Sequence, residues 1–421
     1  MAKNVKSLLS RWSSRVFLLE LDGATQYFGI QKNNWGKVKV PRPFSAFQEE
    51  DRCYSVLVCS PDRIKKAKFY GELKDILLRK LPPGCDFAVF SSFLPNVQDS
   101  LIKGYFLKSS IKENSSLIER LLSDLEQHDP VLVCSYSGSE DGQWTQRLWS
   151  RAESELGQMT EAHNVVPAEE PTYHPSTLNI KNSDVFYSFD EACDVLKKCG
   201  DIIPEAKSVL EMLPSRVEAI RKPDFPVVVI EGLDATGKTT LTESLRDTLG
   251  ATLLRSPPEC LAPWRARFDQ EPPIIRRAFY ALGNYITAEQ ISQEGMKTPI
   301  IVDRFWHSTA AYAIATAVNG PVSNLPSTGS EVYIWPSDLL QPSLVVLLTL
   351  APEERKRRLR NRGQKETDEE KELDHNRLFR LRVEKAYQRI SGPACVTVDA
   401  SPSADLVLQQ VLLLIRGKCH L

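Results

Sequence analysis

Residues 225–240 read Phe-Pro-Val-Val-Val-Ile-Glu-Gly-Leu-Asp-Ala-Thr-Gly-Lys-Thr-Thr. A short β-branched run gives way to a glycine-spaced turn and then to helix-forming residues. The spacing G-x-x-x-x-G-K-T is that of a phosphate-binding loop between a strand and a helix. In such a loop, backbone N–H groups and the helix start converge on one anion. Gly232 and Gly237 let the backbone approach closely and take positive φ. The loop residues Gly232, Leu233, Asp234, Ala235, Thr236, Gly237, Lys238, Thr239 and Thr240 are therefore expected to surround the phosphates of ATP. Lys238 would sit on the β- and γ-phosphates, and Thr239 would ligate Mg²⁺.

From residue 225 onward, apolar runs alternate with helical periodicity. This implies an α/β fold, a P-loop NTPase domain whose parallel sheet is covered by helices on both faces. The first helix is expected over Lys238–Leu249, with Gly250 as its stop. Strands are expected at 251–255, 299–303, 344–350 and 395–399. Helices are expected at 274–294, 307–318, 374–390 and 404–415. Asp303-Arg304-Phe305 follows a strand directly, and ligands bind at the carboxyl ends of strands in such sheets. Asp303 could hold Mg²⁺ or its waters, and Arg304 could grip a second phosphate. Asp234 inside the loop would receive a proton or a metal-bound water rather than touch an anion. The segment after Leu350 carries Arg355, Lys356, Arg357, Arg358, Arg360, Arg362 and Lys365. Together these suggest an arginine-rich lid that closes over charge developing in phosphoryl transfer and excludes water.

Bulk properties narrow the class. A formal net charge of −1 argues against a nucleic-acid coat. No apolar run is long enough to span a bilayer. Nine scattered cysteines without a C-x-x-C pair speak for a reducing compartment.

The chain start is basic and serine-rich, with no acid before Glu20. Val5, Leu8, Leu9, Trp12, Val16 and Leu19 form one stripe at helical spacing. That pattern fits a mitochondrial import segment over 1–19, and equally an ordinary N-terminal helix. Residues 20–159 read as a mixed α/β domain of unassigned role. Strands are expected at 54–59, 87–90 and 131–134, and helices at 62–81, 117–125 and 143–159. Residues 160–223 read as a linker and helical connector, with 224–421 as the phosphate-loop domain.

Residues 225–417 resemble a thymidylate-kinase-type nucleoside monophosphate kinase. The resemblance rests on Glu231-Gly232-x-Asp234-x-x-Gly237-Lys238-Thr239, Asp303-Arg304-Phe305, Arg358-x-Arg360-x-Arg362-Gly363 and Arg382-Val383-x-x-x-Tyr387. The long N-terminal extension is most similar to the mitochondrial UMP–CMP kinase branch. The resemblance implies ATP- and Mg²⁺-dependent phosphorylation of dCMP, dUMP, CMP or UMP, with Lys238, Asp303, Arg304 and the lid arginines Arg358, Arg360 and Arg362 as catalytic residues. It also implies nucleotide substrates as partners, mitochondrial location, and leaves a homodimer open.

The chain departs from the family pattern in three places. Ala235 stands where many thymidylate kinases carry an arginine, so the transition-state arginine must come from the lid. The corresponding lid position falls near Thr367, which leaves the choice among the three lid arginines open. Tyr280 and Asn284 stand where the family offers a base-stacking aromatic and an arginine. An asparagine amide both donates and accepts, so Asn284 could meet uracil and cytosine alike. Pro258-Glu259 is followed by Cys260, leaving Arg265 as the nearest phosphate-gripping candidate.

A dTMP kinase and a partner-binding protein with a residual kinase module are the alternatives. A GTP-driven switch would need N-K-x-D, which the sequence lacks.

Overall fold

The computed structural model describes residues 11–21, 24–32, 52–109, 111, 113–128, 131–138, 143–149, 162–181, 183–214, 220–361, 371, 373 and 375–419. The chain divides into two compact units, residues 1–179 and 180–421.

The first unit is a closed antiparallel barrel of eight strands. They are β1 (Val16–Leu21), β2 (Ala24–Lys32), β3 (Arg52–Val58), β4 (Cys85–Phe93), β5 (Ile102–Ser109), β6 (Val131–Gly138), β7 (Trp144–Trp149) and β8 (Ala162–Pro167). Helix α1 (Arg63–Lys80) joins β3 to β4, and α2 (Asn114–His128) joins β5 to β6. The order β1-β2-β8-β7-β6-β3-β5-β4 contains a β-α-β-β-α-β unit, β3 to β6, whose sheet the other four strands close.

Alternation along β3 sets both faces. Cys53 and Leu57 point into the barrel, while Tyr54, Val56 and Val58 pack with Leu73 and Leu77 of α1 and Ile118 and Leu122 of α2. Inside, the Phe17 ring stacks on Phe28 and Phe90 at 5.0 and 5.9 Å. Three buried polar side chains pair with one another: Trp12 Nε1 donates to Gln146 Oε1 at 2.9 Å, and Gln146 Nε2 donates to the Tyr136 hydroxyl at 2.9 Å. An eight-stranded barrel is just wide enough to be filled by side chains.

The mixed α/β expectation is thus replaced by a barrel with two helices on its outside. Val16 and Leu19, expected on a helical stripe, lie in β1, and Trp12 lies in a 3₁₀ turn at the barrel core. Residues 144–149, expected to be helical, form β7 between β6 and β8. Residues 162–167, expected in a linker, form β8. Residues 150–159 of the expected 143–159 helix and Met1–Ser10 lie outside the described residues.

The second unit holds a five-stranded parallel sheet, order β10-β11-β9-β12-β13. Its strands are β9 (Val227–Gly232), β10 (Thr252–Arg255), β11 (Ile300–Asp303), β12 (Leu344–Thr349) and β13 (Val396–Asp399). The helices are α3 (Phe189–Cys199), α4 (Glu205–Glu211), α5 (Lys238–Leu249), α6 (Ala262–Asp269), α7 (Pro273–Glu294), α8 (Trp306–Ala317), α9 (Pro352–Asn361), α10 (Arg377–Arg389) and α11 (Ala404–Cys419).

Val227 to Ile230 are at most 1% exposed, as a central parallel strand requires. Val228 and Ile230 pack with Leu241 and Leu245 of α5 and Val411 and Ile415 of α11. Helix α5 ends where Gly250 turns left-handed at φ 60° and its N–H bonds Arg246 O.

Residues 180–214 pack within this unit. Phe189 at the start of α3 meets Tyr285 of α7, with ring centroids 5.2 Å apart. Asp338 ties the pair together, accepting from Phe189 N at 2.8 Å and from the Tyr285 hydroxyl at 2.6 Å.

Candidate active site

Strand β9 delivers the chain into a tight turn at its carboxyl end. Gly232 has φ 144°, and a Cβ there would lie 2.7 Å from Leu348 O, so only glycine fits. Gly237 has φ 91° and opens α5. Between them Ala235 takes φ 63°, and across the sheet Arg304 takes φ 65°. Two non-glycine residues with positive φ in one cleft mark stored backbone strain, which concentrates at functional sites.

Lys238 is 8% exposed. Its Nζ donates to Leu233 O at 2.9 Å and lies 3.6 Å from Asp234 Oδ1. Asp234 also receives Arg304 Nη2 at 2.5 Å. Burial alone would raise the Asp234 carboxyl, but Arg304 and Lys238 overcome it and hold it down to about 2. Burial, and then the positive charge of Arg304, push the Lys238 ammonium down to about 8. Asp234 therefore binds the two cations directly.

Asp303 ends β11, opposite Ile230 of β9 and Arg255 of β10. Its Oδ1 is buried without a hydrogen-bond partner. A carboxylate oxygen left open in this way, together with the exposed Thr239 at the first turn of α5, forms an oxygen donor set suited to Mg²⁺.

The lid candidates separate. Arg358 lies in α9, and its Nη1 is 3.9 Å from where a Cβ on Gly237 would stand. It is held by Glu354 Oε1 at 3.0 Å and Ala400 O at 2.9 Å. Arg360 is exposed on the same helix. Arg362, Lys365 and Thr367 lie outside the described residues. Arg382, quoted for the resemblance, is buried and bonds Ala315 O at 3.0 Å, which fixes α10 against α8.

At the other end of the cleft, Arg265 Nε donates to the Tyr280 hydroxyl at 3.1 Å, which donates in turn to Asp269 Oδ1 at 2.7 Å. The Arg265 guanidinium also lies over the Tyr280 ring. Asn284 is 1% exposed. Its carbonyl accepts from the Ser256 hydroxyl at 2.7 Å and its amide donates to Thr309 Oγ1 at 3.1 Å. Both halves of this amide have protein partners, with one N–H and one carbonyl lone pair left over.

Sequence reasoning gave no role to Ser256, Ser308 or Thr309, and quoted Glu231 and Tyr387 without one. Arg304, Ser308 and Tyr312 stand at spacings of four. Arg304 Nη1 donates to Ser308 Oγ at 3.4 Å, and its guanidinium lies 5.9 Å from the Tyr312 ring centroid. That periodicity was the available signal.

The glycine turn, the lysine at the head of α5 and the Asp-Arg pair at the end of β11 define a P-loop phosphotransferase. The family profile described as thymidylate kinase matches residues 230–411. The human protein named UMP-CMP kinase 2, mitochondrial, is 43% identical over 416 residues, covering 96% of this chain and 92% of that protein. A thymidylate kinase of Xanthomonas oryzae is 28% identical over 45% of this chain and 82% of its own length. The solved thymidylate kinase structure from Candida albicans aligns with 47% of this chain and 93% of its own, at 20% identity and a TM-score of 0.36. The chain belongs to the thymidylate kinase family of P-loop nucleoside monophosphate kinases, in the UMP–CMP kinase branch. It is a nucleoside monophosphate kinase.

Proposed function

We propose that this chain transfers the γ-phosphoryl group of ATP to dCMP, dUMP, CMP or UMP. The observation that carries this reading is the Asp234–Arg304 contact, which sets a guanidinium beside the phosphate loop without occupying it. The loop backbone and Lys238 bind the donor phosphates. Arg304 binds the acceptor phosphate. Thr239 and Asp303 would hold Mg²⁺, which would offset the charge of the donor phosphates. Arg358 is the lid arginine that meets the transferring group, because its Nη1 stands 3.9 Å from where a Cβ on Gly237 would lie. Arg360, exposed on the same helix, then belongs to the outer, water-excluding part of the lid.

The base lies between Tyr280 and Asn284, with Arg265 at the rim. The remaining N–H and lone pair of Asn284 suit a pyrimidine bearing either a carbonyl or an amine at C4. The human relative is named a mitochondrial UMP-CMP kinase, which supports both the substrates and a mitochondrial location. A cleaved import segment would end before Trp12, because Trp12 and β1 belong to the barrel. A homodimer is kept as part of this reading. No helix among the described residues is long and apolar enough to cross a membrane.

The test is turnover by the full chain with ATP and each of dCMP, dUMP, CMP, UMP and dTMP, with Lys238→Ala as control. Preference for dTMP, or full turnover in the control, would overturn the reading. Solution mass decides the homodimer.

A further inference from the structure

Glu231 is fully buried in β9, one residue before the glycine turn. Four donors converge on its carboxylate. Oε1 accepts from Phe305 N at 2.8 Å and Ser308 N at 3.2 Å. Oε2 accepts from the Ser308 hydroxyl and from the Tyr387 hydroxyl, the latter at 3.2 Å. Burial pushes this carboxyl up, and the Ser308 hydroxyl and Arg304 pull against that rise. Donors on all four sides suit an ionised acceptor.

These contacts do two things. They satisfy backbone N–H groups at the start of α8, whose own N-cap residue, Phe305, provides no side-chain cap. They also fix the Ser308 hydroxyl, which accepts from Arg304 Nη1 at 3.4 Å and lies 3.1 Å from the Tyr387 hydroxyl. Arg304 thus has two anchors, Asp234 directly and Ser308 through Glu231 and Tyr387.

We propose that Glu231 is a positioning residue for the reaction: by fixing Ser308 and the start of α8, it aims Arg304 at the acceptor phosphate. Tyr387 makes that aim depend on α10. The docking of α10 and the orientation of Arg304 are therefore coupled. Misplacing an orienting cation by about 1 Å can cost about a hundredfold in rate.

This inference rests on Arg304 as the acceptor-phosphate ligand, and the experiment separates the two. Steady-state kinetics are measured with acceptor and ATP varied in turn for Glu231→Gln, Tyr387→Phe, their combination and Arg304→Ala. Binding of a fluorescent ATP analogue and thermal midpoints are measured alongside. Tyr387→Phe removes one hydroxyl and leaves the carboxylate, so it reports even if Glu231→Gln fails to fold.

The expected result is a lower kcat and a higher acceptor KM, together about tenfold or more in kcat/KM for Glu231→Gln and about threefold for Tyr387→Phe. Affinity for the ATP analogue stays the same. The double variant is no worse than Glu231→Gln, as members of one network should be. If both single variants lower only the thermal midpoint, or if their effects simply add, the inference is overturned. If Arg304→Ala leaves the acceptor KM unchanged, the reading of the acceptor site itself falls. If Arg304→Ala raises it while Glu231→Gln and Tyr387→Phe do not, only the positioning inference falls.

Discussion

Arg304 Nη2 lies 2.5 Å from Asp234 Oδ1, joining the end of β11 to the middle of the phosphate loop across two strands of the sheet. Asp234 is held down to about 2, so it is ionised at neutral pH. Asp234→Asn keeps the shape and removes the charge. The expected outcome is a fall of at least about tenfold in kcat/KM for the acceptor, and about 1–3 kcal/mol lost from stability. Kinetics and denaturant titration check the two together. Wild-type activity should show no acid limb from this group, because its titration lies far below the working range.

Lys238 gives the opposite pH signature. Its ammonium, lowered to about 8, is charged in the free enzyme below that pH and neutral above it. Triphosphate binds the charged form, so binding takes up a proton as pH rises past about 8. The kcat/KM for ATP should fall by up to about tenfold per pH unit above that point. A kcat/KM profile for ATP between about pH 7 and 9.5, with heats of binding compared in two buffers, tests the sign.

Gly232 and Gly250 both take positive φ, but only one is crowded. A Cβ at Gly232 would meet Leu348 O at 2.7 Å, while at Gly250 nothing lies within 4 Å. Gly250→Ala should cost about 1 kcal/mol, the left-handed penalty alone. Gly232→Ala should cost about 3 kcal/mol or more and abolish ATP-analogue binding. Equal thermal midpoints for the two variants would contradict this account.

The connector helices predict where the kinase half can be cut. A chain beginning at Ile180 retains Tyr187, Phe189 and the Asp338 contacts, whereas one beginning at Asp224 exposes the Tyr285 face of α7. The first should unfold cooperatively with a midpoint near that of the full chain. The second should aggregate, or lose about 3 kcal/mol or more. Calorimetry on both checks it.

The processed terminus is a further test. If the protein is imported and cleaved, the mature chain should begin before Trp12, since cutting later removes the indole that bonds Gln146 and then β1 itself. Mass spectrometry of organelle-purified protein reads this directly.

The kinase half was legible because the three central strands of its sheet are buried on both faces. Val227–Ile230, Ile300–Val302 and Leu344–Leu348 read as unbroken apolar runs, and Gly250 marked a helix end. The barrel was not legible to the same degree. In β7, Trp144, Gln146 and Leu148 face inward, and a polar residue in the buried set conceals the alternation. In β8, His163 and Asn164 make a strand look like a linker. Within the site, the loop residues and the Asp-Arg pair followed from local spacing. The convergence of Glu231, Ser308 and Tyr387 did not, because it joins three distant stretches through tertiary packing.

Barrel closure has a consequence for how the chain becomes a folded object. β2 is bordered by β1 on one side and β8 on the other, so Phe28 finds its second cross-strand neighbour only when Pro167 is present. Pairings of such wide sequence separation form slowly, because the intervening loop must be ordered before they reward it. A ribosome or a translocation pore that has released only the first hundred or so residues therefore holds a chain that cannot yet seal its own seam.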